Sequence, residues 1–538
     1  MTNGLLYAHV EKQATNGATA RELPIAIIGA GPVGLAAAAH LIERSMSFVV
    51  FEAGPRVGHS ALAWGHVQMF SPWKYTVDPA AVRLLEQTGW HAPDPEGYPT
   101  GRTLVEQYLA PLAAHEAIAP HVLLNRRVAH ITRAGFDKMK TTGREQAPFQ
   151  LSISGADGLE EIVYARAVID ASGTYTTPNP LGASGLPAAG ERALSDRIVY
   201  SIPDVLGRER SRYAGKRVLV AGSGHSAFNA ILDLAALAEQ EEGTSVTWVV
   251  RRGEMGQTYG GGENDALPAR GALGQRIRAL VERGVVQLIT GWRTDHLERT
   301  PDGIVVFAGD QALAPVDEII VATGLRPDLA MLSELRLGLD PTVEAPTTLA
   351  PLIDPNIHSC GTVPPHGADE LAHPEPNFYM IGMKSYGRAP TFLLLTGYEQ
   401  ARSVVAALAG DWEAARRVEL VLPETGVCSG PVAAGGGTAS SCCGPTLAAP
   451  VGGTNLIALT PVGAGVAVSA LNIDLVVADS RAGDVAATGC CGGPAPAGTD
   501  ACCVKDADAK AAGQDGCGCG ATAVTSPEPV VAAGACCG

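Results

Sequence analysis

Cysteine is all but missing from the first 427 residues of this 538-residue chain: of twelve, only Cys360 precedes Cys428. That excludes an internal redox dithiol of CxxC or CxxxxC spacing from the part of the chain able to build a core. Beyond Cys428 a different deficit appears, because no Phe, Trp, Tyr, His or Met follows it. Such a segment buries too little apolar surface to offset the entropy of ordering it. It also offers no imidazole to a zinc site. Basic residues are scarce: 39 Lys and Arg stand against 55 Asp and Glu, a net charge of −16. A nucleic-acid partner bound through a broad basic surface is therefore not expected. The first twenty residues are mixed and polar, without a basic-then-apolar leader pattern, so a cytoplasmic location is expected. The one membrane candidate, Leu456 to Ala478, is broken by Pro461, Gly463, Gly465, Asn472 and Asp474. A spanning helix wants about 20 cleanly apolar residues, so no membrane span is expected either.

What the chain has in quantity is apolar residues, 46%, and glycine, 64 residues. Two glycine-rich units stand out. In "PIAIIGAGPVGLAAAAHLIE", Ile25 to Ile28 read as a short buried strand, and Gly29, Gly31 and Gly34 form GxGxxG. An Ala-rich helix follows, and then the apolar strand "SFVVFEAG" ending in Glu52. The spacing has a physical purpose. Gly29 permits a tight turn, Gly31 lets a pyrophosphate approach the backbone, and Gly34 lets helix pack closely on strand. The helix N-terminus offers free N–H groups and about half a positive charge. Glu52 is placed to accept from a ribose 2′-hydroxyl.

The second unit, "KRVLVAGSGHSAFNAILDLA", carries Gly222, Gly224 and Ala227 in GxGxxA, with His225 and Ser226 inside the turn. Its following strand, "SVTWVVRR", ends in Arg251 and Arg252 rather than in an acid. An acid repels a 2′-phosphate, whereas a guanidinium binds it bidentately. The first turn therefore suits FAD and the second NADPH, and a chain with both can pass a hydride from nicotinamide to flavin.

Two further segments, "AVIDASGTYTTPNP" with Gly173 and "VDEIIVATGLRPD" with Gly324, are strands running into small-residue turns. They resemble the crossings of two-dinucleotide-binding-domain flavoproteins, whose NADPH domain is inserted in the FAD domain. The resemblance implies an α/β fold with two Rossmann-like domains. A flexible N-terminus covers 1–22, and an FAD domain runs over 23–180 and 316–420. The NADPH domain takes 181–315, and a disordered Gly/Ala/Cys-rich tail takes 421–538. "GSGHSA" followed by Asn229 resembles the second fingerprint of class B flavin monooxygenases. "HVQMFSPWKY" and the cysteine tail resemble the monooxygenase-like proteins of bacterial arsenic-resistance operons. The pattern departs from class B at "GPRVGHSALAW", where Trp64 is displaced, and the long F-x-G-x-x-x-H-x-x-x-W/F signature is absent.

The resemblance implies further site residues. The loop holding His66, Gln68 and Lys74 is expected near the flavin ring and supplies the candidate catalytic groups. Gly382, Met383 and Lys384 are expected at the flavin's pyrimidine end, with a helix starting near Thr391. The expected partners are a small-molecule substrate and oxygen. In the tail, the pairs Cys442–Cys443, Cys490–Cys491, Cys502–Cys503 and Cys536–Cys537, with Cys517 and Cys519, suit a soft ion such as arsenite. Three functions stay open on the sequence. They are a flavin monooxygenase-like enzyme acting in arsenic detoxification, an NADPH-dependent reductase of a disulfide or metalloid, and a thiol-rich metalloid-sequestering protein.

Overall fold

The computed structural model describes residues 23–420, apart from 157, 256–258, 260–267 and 359–362, together with 511–512. The N-terminal 22 residues, Cys360 and all the tail cysteines lie outside the described residues.

Two parallel five-stranded sheets organise the chain. The first has the order β16-β7-β1-β2-β3, made of Phe378–Met380, Ala167–Asp170, Ile25–Ile28, Phe48–Phe51 and Val122–Leu123. The second has the order β11-β10-β9-β15-β8, made of Val286–Ile289, Ser245–Val249, Arg217–Ala221, Glu318–Val321 and Ile198–Val199. In each, the strand before a glycine turn sits centrally, flanked by the next strand on one side and by a much later one on the other. The expected pair of Rossmann-like units is what the chain forms. Strand β15, grouped above with 316–420, pairs with β9 in the second sheet, so the chain crosses back after that strand rather than before it.

The strands are short and apolar because both faces are covered. Ile25 and Ile27 join one core with Leu35 and the alanines of helix α1 (Pro32–Glu43), while Ala26 and Ile28 join another with Phe149, Leu151 and Ile153. Each fully buried Ile or Leu contributes about 1.5–3 kcal/mol. The second cover is an antiparallel sheet, β4-β5-β6 (Arg126–Arg133, Phe149–Gly155, Glu160–Ala165). The second parallel sheet has its own, β12-β13-β14 (His296–Thr300, Gly303–Ala308, Gln311–Ala312). A buried ion cluster fastens the first cover down. Glu375 accepts from Arg133 Nε at 2.7 Å and from Arg144 Nη1 at 2.7 Å, with all three side chains shielded from water. Removing one member of such a set costs about 3–5 kcal/mol, because the remaining charge is left buried and unpaired.

A second buried pair gives the fold a pH dependence. His40 of α1 places Nε2 3.1 Å from Asp78 Oδ2. Asp78 also caps helix α2 (Pro79–Glu86), its Oδ1 accepting from the Ala81 N–H at 2.9 Å. Burial opposes the imidazolium, but Asp78 and Glu43 outweigh it and push His40 up to about 9 from 6.5. A group raised on folding stabilises fully below its unfolded value and loses that contribution as pH climbs through the folded one. Stability is therefore expected to fall by up to about 3 kcal/mol between pH 6.5 and just above 9. Asp78→Asn keeps the helix cap but should flatten that slope in thermal melts across the window. An unchanged slope would refute the assignment.

Candidate functional site

Each glycine of the first turn has a distinct steric reason. Gly29 has φ +98°, and a Cβ there would lie 2.8 Å from the Ala171 carbonyl oxygen. A Cβ on Gly34 would lie 2.0 Å from the Gly29 oxygen, whereas one on Gly31 would meet nothing within 4 Å. Gly31 caps α1, with Pro32 in the first turn, and the open side of Gly31 is where a phosphate can reach the backbone. Glu52 stands directly beside this turn. Its Oε2 accepts from Ala30 N–H at 2.8 Å and its Oε1 from Gly54 N–H at 2.7 Å. Each oxygen keeps a lone pair for a hydroxyl.

The second turn repeats the geometry. Gly222 has φ +132° and a Cβ there would lie 2.1 Å from the Ala322 oxygen, while Gly224 faces open space. Ala227 is fully buried at the root of helix α3 (His225–Ala238), and Ser226 is exposed. Arg251 and Arg252 are exposed at the end of β10. Arg251 Nη1 donates to Ala183 O at 3.3 Å, and neither arginine has a carboxylate partner among the described residues. Both turns fit a dinucleotide: each has a glycine whose missing side chain leaves a cradle, at the N-terminus of a long helix.

The loop after the first βαβ unit reaches toward the second turn. The Phe70 and His225 rings lie 4.9 Å apart between centroids. His66 lies within electrostatic reach of Asp233 of α3. Burial is the main cause raising the Asp233 carboxyl, to about 6, and the His66 charge works against it. His66 Nε2 is itself buried without a hydrogen-bond partner among the described residues. Gln68 is exposed and bridges to Thr100. Lys74 is exposed and pairs with Glu96 at 2.7 Å. These three candidates therefore occupy different environments rather than one cluster.

The turn Gly382–Tyr386 follows β16. Gly382 has φ +70° and donates its N–H to Gln400 Oε1 at 2.7 Å. Met383 is half-buried, and Lys384 is fully buried. Lys384 Nζ donates to Asp170 Oδ2 at 2.6 Å and to Ser172 Oγ at 3.2 Å. Asp170 Oδ1 in turn accepts from Ser172 Oγ at 2.6 Å. This pair ties the ends of β16 and β7 together beside Gly173, whose Cβ direction is open. Helix α4 (Leu394–Leu408) begins at Leu394 rather than near Thr391. The Phe392 ring packs on Tyr386 and against Gly397, which holds the segment before the helix extended. Thr391 Oγ1 is buried without a hydrogen-bond partner among the described residues. Gly324, with φ +93°, lies against Asn179, and the two crossings are bonded to each other. Asn179 N–H donates to Gly324 O at 2.9 Å, and Arg326 Nε to Asn179 Oδ1 at 2.9 Å.

The profile of the pyridine nucleotide-disulphide oxidoreductase family matches residues 26–359. The chain belongs to that family. It is an oxidoreductase of the two-dinucleotide-binding-domain flavoprotein superfamily, and FAD and NADPH are the cofactors that its membership and its two turns imply. A protein named ferredoxin–NADP reductase from Salinispora arenicola is 30% identical over 320 residues, covering 60% of this chain and 79% of that one. Another of that name, from Thermus thermophilus, is 25% identical over 346 residues, covering 63% and 84%. Among solved structures, the bacillithiol disulfide reductase of Bacillus cereus superposes with TM-score 0.53 at 18% identity, covering 72% of this chain and 99% of that one. The FAD-bound cadaverine monooxygenase DfoA of Erwinia amylovora gives TM-score 0.50 at 14% identity, covering 74% and 98%. At those identities the structures share the fold alone.

Within the described residues no group of three or more His, Cys, Asp and Glu is arranged to hold a metal ion. Nor is any described helix long and apolar enough to cross a membrane. Sequence reasoning missed Asp170, Ser172, Gln400 and the Asn179–Arg326 contact. The one local signal was Asp170 itself, a carboxylate closing an otherwise apolar strand.

Proposed function

We propose that this chain oxidises NADPH at its second turn, carries FAD at its first, and passes the electrons to oxygen in a monooxygenase-type reaction on a small molecule. One observation carries the reading: two turns of the same geometry end in opposite chemistry. Glu52 is an acid held in place by two backbone N–H groups, suited to an unphosphorylated ribose. Arg251 and Arg252 are guanidinium groups without carboxylate partners among the described residues, suited to a ribose phosphate. When bound, FAD takes a hydride equivalent from NADPH and hands the electrons on.

The chain's own residues do the rest. Gly31 and Gly224 admit the two pyrophosphates to helix N-termini. The Lys384–Asp170–Ser172 set holds the last turn of the first sheet rigid beside that site. Oxygen as acceptor rests on the second fingerprint and its class B likeness. A second reading, electron delivery to a carrier protein, is favoured by the relatives named ferredoxin–NADP reductase. A trivalent arsenical is the first small molecule to try, given the soft thiols of the tail.

Oxygen uptake and NADPH consumption, followed together, separate the readings. For a monooxygenase, adding the right small molecule should accelerate both in equal amounts, with product formed in step. If only an added one-electron acceptor accelerates NADPH loss, without oxygen uptake, the carrier reading replaces it.

A further inference from the structure

The ends of β10 and β11 are sewn together. Gly291 N–H donates to Arg252 O at 2.7 Å, and Trp292 N–H to Val250 O at 3.0 Å. The segment beyond β7 joins them, with Ala183 N–H donating to Thr294 O at 2.9 Å. Between these segments lies a cavity of about 360 Å³, walled by Gly182–Ser184, Pro187 and Arg293–Asp295. That volume falls in the range of small-ligand sites. Arg251 sits at its edge, since its guanidinium bonds to the wall residue Ala183. Arg293 is an exposed lining residue of the same cavity and has no carboxylate partner among the described residues.

Some guanidinium groups of this lobe are neutralised, and others, such as Arg283, have no carboxylate partner among the described residues. Arg217 pairs with Asp317, Arg212 with Glu318, and Arg299 with Asp196. The wall carboxylate Asp295 does not neutralise Arg293. Its oxygens accept from His296 Nδ1 at 2.5 Å and from Gly309 N–H at 2.6 Å, and those bonds hold its carboxyl below the usual range. The cavity thus has one arginine in its lining, Arg293, and another, Arg251, bonded to its wall, beside the carboxylate of Asp295, whose oxygens are engaged by Gly309 and His296.

We infer that Arg293 is a third guanidinium of the anion site, and that the cavity it lines takes the phosphorylated adenosine end of NADPH. The inference rests on the reading that NADPH occupies the second turn. It adds a specificity residue, 41 positions beyond Arg252 in the sequence, from a strand end that the glycine fingerprint does not mark. A doubly charged phosphate gains from a further donor fork, whereas a ligand without that phosphate gains nothing there.

The test uses the full-length, FAD-loaded protein and two probes, 2′,5′-ADP and 5′-AMP, with binding followed by calorimetry. Arg293→Ala should weaken 2′,5′-ADP about tenfold and leave 5′-AMP and the flavin content unchanged. Arg293→Lys should recover only part of the loss, because an ammonium lacks the fork. If Arg293→Ala binds 2′,5′-ADP like the parent while Arg251→Ala and Arg252→Ala lose it, the inference is wrong and the NADPH reading stands. If none of the three loses it, both are wrong.

Discussion

Gly31→Ala is expected to give a folded but colourless protein, and Gly34→Ala a protein that is both colourless and destabilised. The two substitutions add the same methyl group three residues apart, yet the surroundings differ. At Gly34 the methyl would lie 2.0 Å from the Gly29 carbonyl oxygen. That neighbour is backbone and cannot rotate away, so helix α1 must lift from β1. Overpacking of this kind costs about 1–3 kcal/mol or more, and the lifted helix no longer aims its N–H groups at the turn. At Gly31 the methyl would touch no protein atom within 4 Å, and φ is an ordinary −85°. Stability should then change by no more than about 1 kcal/mol, while the methyl fills the approach needed by the pyrophosphate. Flavin-to-protein ratio and thermal midpoint, measured on both variants, check this. A Gly31→Ala protein that stays fully yellow would show that FAD does not use this turn.

The double change Arg251→Ala, Arg252→Ala should remove most of the preference for NADPH over NADH. Hydrogen bonds to charged groups contribute about 1.5–3 kcal/mol each. Both arginines are exposed and partly screened, so the low end applies. Two such losses correspond to about a hundredfold. The readout is the coenzyme concentration that half-saturates anaerobic flavin reduction. It should rise about a hundredfold for NADPH and change little for NADH. An equal rise for both coenzymes would place the 2′-phosphate elsewhere. Salt should weaken the parent's NADPH binding more than the variant's.

How much of this was legible in the sequence follows from how local each constraint is. The turns at Gly29–Gly34 and Gly222–Ala227 were readable because their steric demands fall within a few residues. So were Glu52 and the arginine pair, each closing a short apolar strand. The pairing of Lys384 with Asp170 joins positions 214 residues apart, and no pattern in either segment announces the other. The contact of Phe70 with His225 is equally non-local. The start of α4 moved because Phe392 packs on Tyr386, a tertiary preference that overrides the local helix signal. The antiparallel covers escaped notice although β5 alternates apolar and polar residues strictly, because its partner β6 does not. Ile162, for example, is 43% exposed while Val163 beside it is buried.

The bonded crossings have a consequence for how the second sheet is mounted. The chain leaves the first sheet through Asn179 and comes back through Thr323, Gly324 and Arg326, and these neighbours hold one another by hydrogen bonds. Everything strung between them is therefore a cassette with its two leads soldered side by side. Such a module can be exchanged for another of similar span without re-threading its host.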